Sequence, residues 1–326
     1  MMIIIRLSFP QLSKSSNGMF RNLNFWGNKK VITLMYHQIG QSTFDPWGLA
    51  VSPINFEAHL KVLHNHFTVI TSDSLANSIG QSFPKNAVCI SFDDGYSDNF
   101  SIAKGMLEKF KLPATFFISS YYIEHQIPFW WDELESVIFD NNLMSADMKI
   151  YQNWRWPANP PDAVSDKYIN EWARLKPLAY PEIRDRIDIL SQNNQSNNGS
   201  CNKLPMSTND LIELSKSPLF TIGAHTMTHP ALSNHHINYQ ENEIVSNIHW
   251  IEAHTGKSVT AFSYPYGDFN DDSLTIVKNN DLKLAFTTKG KSIKYNDDPY
   301  QLGRFQVQNW TGEQFEQQLR LWFKKY

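Results

Sequence analysis

The 326-residue chain has two cysteines, Cys89 and Cys201, too few for a disulfide framework. Cys89 lies inside an apolar run and is expected to be a reduced, buried thiol. Long hydrophobic runs are missing as well. Met1 to Ile5 is apolar, but Arg6, Ser8 and Pro10 follow at once, so neither a signal h-region nor a membrane span is expected. Charge of one sign is also lacking: a net charge of -3 gives no electrostatic footprint for nucleic acid. Neither an internal repeat nor a coiled-coil heptad pattern is present. Hydrophobic residues at 41% and charged residues at 19% support a real core and exclude wholesale disorder. Aromatic residues are plentiful at 13%, with 10 Trp and 13 Tyr. They line sugar sites and they also simply pack, and composition does not separate the two. Residues 1–29 read as a loosely ordered leader before a domain over 30–326, and the protein is expected to be soluble and cytoplasmic.

The chain is organised around Val88 to Phe100, VCISFDDGYSDNF. Its first five residues are a short run of strand formers that ends on Asp93 and Asp94, then Gly95. A buried strand that stops on paired acids delivers them to the mouth of a parallel sheet or barrel. Two adjacent carboxylates stay ionised only beside a cation or strong donors. The rival reading is an Asp-Asp-Gly turn with a helix cap. Around this stretch strands and helices alternate. Val31–Tyr36, Ala114–Ile118, Leu219–Ile222, Thr260–Tyr264, Leu284–Thr288 and Gly303–Val307 read as strands. Helices are expected at 55–66, from Leu75, and at 98–110, 239–255, 272–280 and 312–324. The rhythm implies a parallel sheet with right-handed crossovers. Residues 121–205 break it and read as a helical insertion over the barrel mouth, closing in a polar linker at 192–200.

His225 and His229 follow a predicted strand and a glycine. Four apart, they would share one face of a helical turn, as a single metal ion requires; capping or packing histidines show the same spacing. With Asp94 they supply two nitrogens and one oxygen, a set that leaves positions open for water and substrate.

FDDG at 92–95, HTMTH at 225–229 and YPYG at 264–267, each at a strand end, resemble the polysaccharide deacetylases of carbohydrate esterase family 4. LMYH at 34–37, PATFF at 113–117, FWWDEL at 129–134 and AFTT at 285–288 extend the resemblance, which covers roughly residues 30–310. It implies a distorted (β/α) barrel of about seven parallel strands with a helical insertion. It also implies one divalent metal, most often zinc, on Asp94, His225 and His229; the same ligands suit cobalt, nickel or iron. Asp93 would be the general base toward a metal-bound water, and the backbone N–H of Tyr266 would help hold the oxyanion. The substrate would be an N-acetylated glycan.

Two departures stand out. The third motif often begins with an arginine that orients the base, and here that position is Ser263; Arg304 either reaches in to replace it or forms a surface ion pair. The Leu-x-His histidine that often serves as general acid is missing beside Leu302-Gly303-Arg304. His37 is a candidate acid, with a rival reading as a strand-capping histidine. Trp130, Trp131, Trp154 and Trp156 form either a sugar platform or the glue between insertion and barrel. Two alternatives to a deacetylase are a catalytically weak glycan-binding protein of the same fold and a hydrolase of non-sugar C–N bonds.

Overall fold

The computed structural model describes residues 30–139, 150–151, 154–193 and 203–326. The expected leader at 1–29, Cys201 and most of the polar linker lie outside these residues. The first half of the barrel runs β1 (Lys30–Tyr36), β2 (Gln38–Ile39), β3 (Ala50–Val51), α1 (Pro53–His66), β4 (Thr68–Val69), α2 (Ser72–Ser78) and β5 (Ala87–Phe92). A π-wound turn at Asn99–Lys104 leads into α3 (Gly105–Phe110), then β6 (Ala114–Ile118) and α4 (Ser120–His125). The insertion carries α5 (Trp130–Ile138), α6 (Ala163–Leu175) and α7 (Tyr180–Asn193). The barrel resumes with α8 (Thr208–Lys216), β7 (Phe220–Ala224), α9 (Ile237–Thr255), β8 (Ala261–Ser263), α10 (Asp271–Lys278) and β9 (Leu284–Phe286). It ends with β10 (Ile293–Lys294), β11 (Phe305–Gln306) and α11 (Gly312–Lys325).

Local chemistry explains the helix starts. Ser52 caps α1 ahead of Pro53, whose missing N–H costs nothing at a helix N-terminus. Reciprocal capping boxes pair Ser207 with Asp210 on α8, Asn270 with Ser273 on α10, and Thr311 with Gln314 on α11. α9 stops where Gly256 takes a left-handed φ of 67°.

β1, β5, β6, β7, β8 and β9 lie side by side in parallel, and β11 pairs in parallel with the other edge of β1. Seven parallel strands thus curl into a distorted barrel wrapped by helices. Leu302 bridges Phe286 of β9 while Phe305 pairs with Leu34 of β1, so one short segment touches both ends of the sheet. This last strand is shorter than expected because the Arg304 N–H bonds to the Lys289 carbonyl and leaves the ladder.

β1, β5 and β6 are buried on both faces, as parallel strands under helices must be. Along β5, Val88, Ile90 and Phe92 join the core beneath the helices, while Ala87 and Cys89 pack into the smaller interior cluster with Phe117, Leu284 and Phe286. Period-two alternation continues through Ser91 to Asp93, which therefore faces the barrel interior at its open end.

A third cluster joins α5, α6 and α7 to the barrel loops through Phe44, Tyr96, Phe129, Trp130, Trp131, Tyr168 and Tyr180. Trp130, Trp131 and Trp154 are buried in it, whereas Trp156 is 39% exposed. Three of the four tryptophans expected as platform or glue are thus glue. No helix among the described residues is long and apolar enough to cross a membrane.

His59 ties α1 to the start of α11. Its Nε2 donates to the Trp310 carbonyl at 2.7 Å, so its Nδ1 accepts from the Tyr36 hydroxyl at 3.2 Å. Burial pushes its pKa down to about 4 from 6.5. A histidine held neutral stabilises the fold fully above the unfolded value and progressively less as pH falls from about 6.5 to about 4, by about 3 kcal/mol in total. Urea unfolding across that range should show a shallower acid decline in His59→Gln than in the parent. Equal declines would contradict this.

Candidate active site

The C-terminal ends of β5, β7 and β8 bring the acidic and imidazole groups together. After Phe92 the chain turns through two left-handed residues, Asp94 at φ 74° and Gly95 at φ 92°. Asp tolerates such a conformation better than most residues. At Gly95 an added Cβ would also lie 3.1 Å from the Ile118 side chain. The turn sends the two carboxylates to different partners.

Asp93 meets Arg304. Nη1 lies 2.6 Å from Oδ1 and Nη2 lies 2.7 Å from Oδ2, a bidentate pair. Arg304 is 0% exposed, which excludes the surface ion pair. Its guanidinium sits over the Phe117 and Phe286 rings and donates to the Thr287 carbonyl, the Ser91 hydroxyl and the Ser263 hydroxyl. Ser263 Oγ in turn is 3.4 Å from Asp93 Oδ2. A serine at this position leaves room for an arginine arriving from the last strand. Burial, the largest single influence, would raise the Asp93 pKa, but the Arg304 charge and hydrogen bonds, with help from His225 and His37, together outweigh it and hold the carboxyl well below the usual range.

Asp94 meets the histidines. Its Oδ1 lies 3.5 Å from Nε2 of both His225 and His229, and these three atoms form one buried cluster. The two histidines do not share a helical turn, as the four-residue spacing suggested. β7 ends at Ala224, and Thr226 and His229 are both left-handed, at φ 66° and 60°. The loop folds back through a Thr226 hydroxyl that accepts the His229 N–H at 3.0 Å.

Nδ1 of His225 is 2.7 Å from the Ser263 carbonyl and must donate to it, which orients the ring so that Nε2 points at Asp94. Burial pushes the His229 pKa down to about 3, so that ring is neutral. Its neighbours are the Trp131 ring at 4.8 Å and the Tyr266 ring at 4.4 Å. Asp94 Oδ1 has no hydrogen-bond partner, and its 3.5 Å separations are too long for good hydrogen bonds. They do fit ligands around one ion, since tetrahedral bonds of about 2.0–2.2 Å place donors about 3.4 Å apart. Two imidazole nitrogens with one carboxylate oxygen are a donor set that a divalent cation accepts.

His37 follows β1 at the same end of the barrel. Burial lowers its pKa, opposed by the charges of Asp94 and Asp93 and reinforced by those of Arg304 and His225. Its backbone carbonyl accepts from Asn99, on the π-wound turn. Tyr266 takes φ 58° and Gly267 φ 67°, and a Cβ on Gly267 would lie 2.6 Å from the Thr288 backbone nitrogen. Only glycine fits there.

Several supports carry no motif. Asn247 of α9, fully buried, accepts the His225 N–H at 3.0 Å and donates to the Ile118 carbonyl and the Ser120 hydroxyl. One turn earlier, Glu243 accepts both the backbone N–H and the hydroxyl of Thr228. Together they hold both histidines from behind. From the insertion, Trp131 donates to the Tyr96 hydroxyl, which donates to Asp132 at 2.7 Å. The ring that packs on His229 is therefore fixed in place.

The family model described as "Polysaccharide deacetylase" matches residues 80–146 and 189–285, half of the chain. The poly-β-1,6-N-acetyl-D-glucosamine N-deacetylase of Staphylococcus aureus is 22% identical over 306 residues, covering 89% of this chain and 82% of the relative. A putative polysaccharide deacetylase of Bacillus subtilis, YxkH, is 35% identical over 100 residues, 30% of this chain and 34% of the relative. Among solved structures, the Streptococcus pyogenes deacetylase PplD in complex with acetate gives a TM-score of 0.61 at 16% identity, covering 90% of this chain and 99% of that one. IcaB from Ammonifex degensii gives 0.58 at 17% identity, covering 91% and 98%. The chain belongs to the polysaccharide deacetylase family. Its class is that of hydrolases acting on carbon–nitrogen bonds other than peptide bonds.

Proposed function

We propose that the protein removes N-acetyl groups from amino sugars of a surface polysaccharide or its precursor, using one divalent metal ion, zinc in the first instance. The observation that carries this reading is the pairing of two buried arrangements at one barrel mouth. The Asp94–His225–His229 cluster stands beside a second carboxylate, Asp93, that Arg304 holds ionised. Asp94, His225 and His229 would hold the ion, which when bound lowers the pKa of water and polarises an amide carbonyl.

The chain's own groups supply the rest. Asp93 is the general base: its Oδ2 lies 3.9 Å from His225 Nε2, within reach of a water shared with the metal ligands, and besides its Arg304 bond that oxygen has only the long 3.4 Å contact from Ser263 to give up. The backbone N–H of Tyr266 holds the developing oxyanion. His37 delivers the proton that the departing amine needs, in place of the missing Leu-x-His histidine.

Acetate release from β-1,6- and β-1,4-linked N-acetylglucosamine oligomers by the purified protein tests the reading. Acetate accompanied by one new free amine per turnover is expected. A protein that binds these oligomers and releases no acetate from any of them would overturn the proposal in favour of a glycan-binding role.

A further inference from the structure

Beyond His229 the site mouth carries an aromatic shelf with a cation on it. Trp47 lies on the loop between β2 and β3, and Trp172 lies on α6 of the insertion. Both are partly exposed, with ring centroids 4.4 Å apart. Trp172 meets the Tyr266 ring edge-on at 5.9 Å, and Tyr266 packs against His229. Lys176 follows Trp172 by four residues and shares its face. Its Nζ stands 4.6 Å from the Tyr266 ring centroid and 5.4 Å from that of Trp172. Among the described residues no carboxylate pairs with Lys176 within 4 Å; Asp268 is the acid whose charge it feels. Burial beside the rings also lowers its pKa, so this ammonium is only partly solvated.

Hydrolysis of an N-acetyl group by water gives acetate and an amine that takes up a proton. Each turnover therefore adds a positive charge to the glycan. We propose that Trp172 and Trp47 bind the sugar next to the one being deacetylated, and that Lys176 excludes a neighbour already carrying a free amine. The proposal rests on the deacetylase reading above. Sugars stack on such partly exposed indoles through their apolar C–H faces. Two cations about 6 Å apart in a partly desolvated site repel enough to discriminate on the order of 10- to 100-fold. Deacetylation is then spaced along the polymer rather than contiguous.

The test uses the metal-loaded full chain and two β-1,6-linked N-acetylglucosamine pentamers, one fully acetylated and one with a single free amine. Mass spectrometry locates each new amine. The parent is expected to deacetylate the unit beside the free amine at least tenfold more slowly, in kcat/KM, than the same unit of the fully acetylated pentamer. Lys176→Gln should remove most of that ratio, and Lys176→Glu should reverse it. Equal rates in the parent, or an unchanged ratio in Lys176→Gln, would overturn the proposal. Absence of acetate from the fully acetylated pentamer would instead sink the deacetylase reading. Tryptophan-fluorescence titration then decides the subsite alone: weaker binding of the amine-bearing pentamer by the parent but not by Lys176→Gln supports it, and equal binding rejects it.

Discussion

Asp93→Asn is expected to lower kcat by about 10²–10⁴-fold, the usual contribution of a general base, while the protein keeps its metal. The substitution is nearly isosteric and leaves Asp94, His225 and His229 untouched, so the ligand cluster survives. What disappears is the group able to take a proton from water. The amide also leaves Arg304 as a buried cation without its bidentate partner, so a lower melting temperature should accompany the kinetic loss. Turnover and metal content measured on the same folded sample separate the effects. Parent-like turnover with metal bound would remove Asp93 as the base.

Arg304→Met should produce the largest loss of stability. Removing one partner of a buried ion pair costs about 3–5 kcal/mol, because the other charge is left uncompensated. Burial would then raise the Asp93 pKa with only the weaker opposition of His225 and His37 left. The sign of the pH dependence follows. In the parent the depressed Asp93 pKa contributes stability that is present above the unfolded carboxylate value and lost as pH falls through the folded one. In the variant the raised pKa makes acidification favourable, so the gap between the two proteins should narrow from pH 7 to pH 5. Urea unfolding at both pH values measures it. A difference below about 1 kcal/mol at pH 7 would describe a screened surface pair instead.

Much of this arrangement was legible because strand ends in a parallel barrel are marked by sequence. FDDG, HTMTH and YPYG each follow an apolar run. What escaped is chemistry with no local signature. Gln240, Glu243 and Asn247 lie on one side of α9 at helical spacing, and a polar stripe of that kind looks the same whether it faces water or a buried loop. Here all three are buried. The left-handed residues Thr226 and His229 defeated the inference of a helical turn, since neither threonine nor histidine advertises positive φ as glycine does. Arg304 is the opposite case. Its sequence context allowed both surface and interior, and the cavity left by Ser263 together with the Phe117 and Phe286 rings decides for the interior.

Acetate release before and after chelation, followed by readdition of a single divalent metal, tests the central claim most directly. Activity should disappear with chelator, return with zinc or cobalt in the parent, and fail to return in Asp94→Ala. Undiminished acetate release from a protein shown to be metal-free would contradict it.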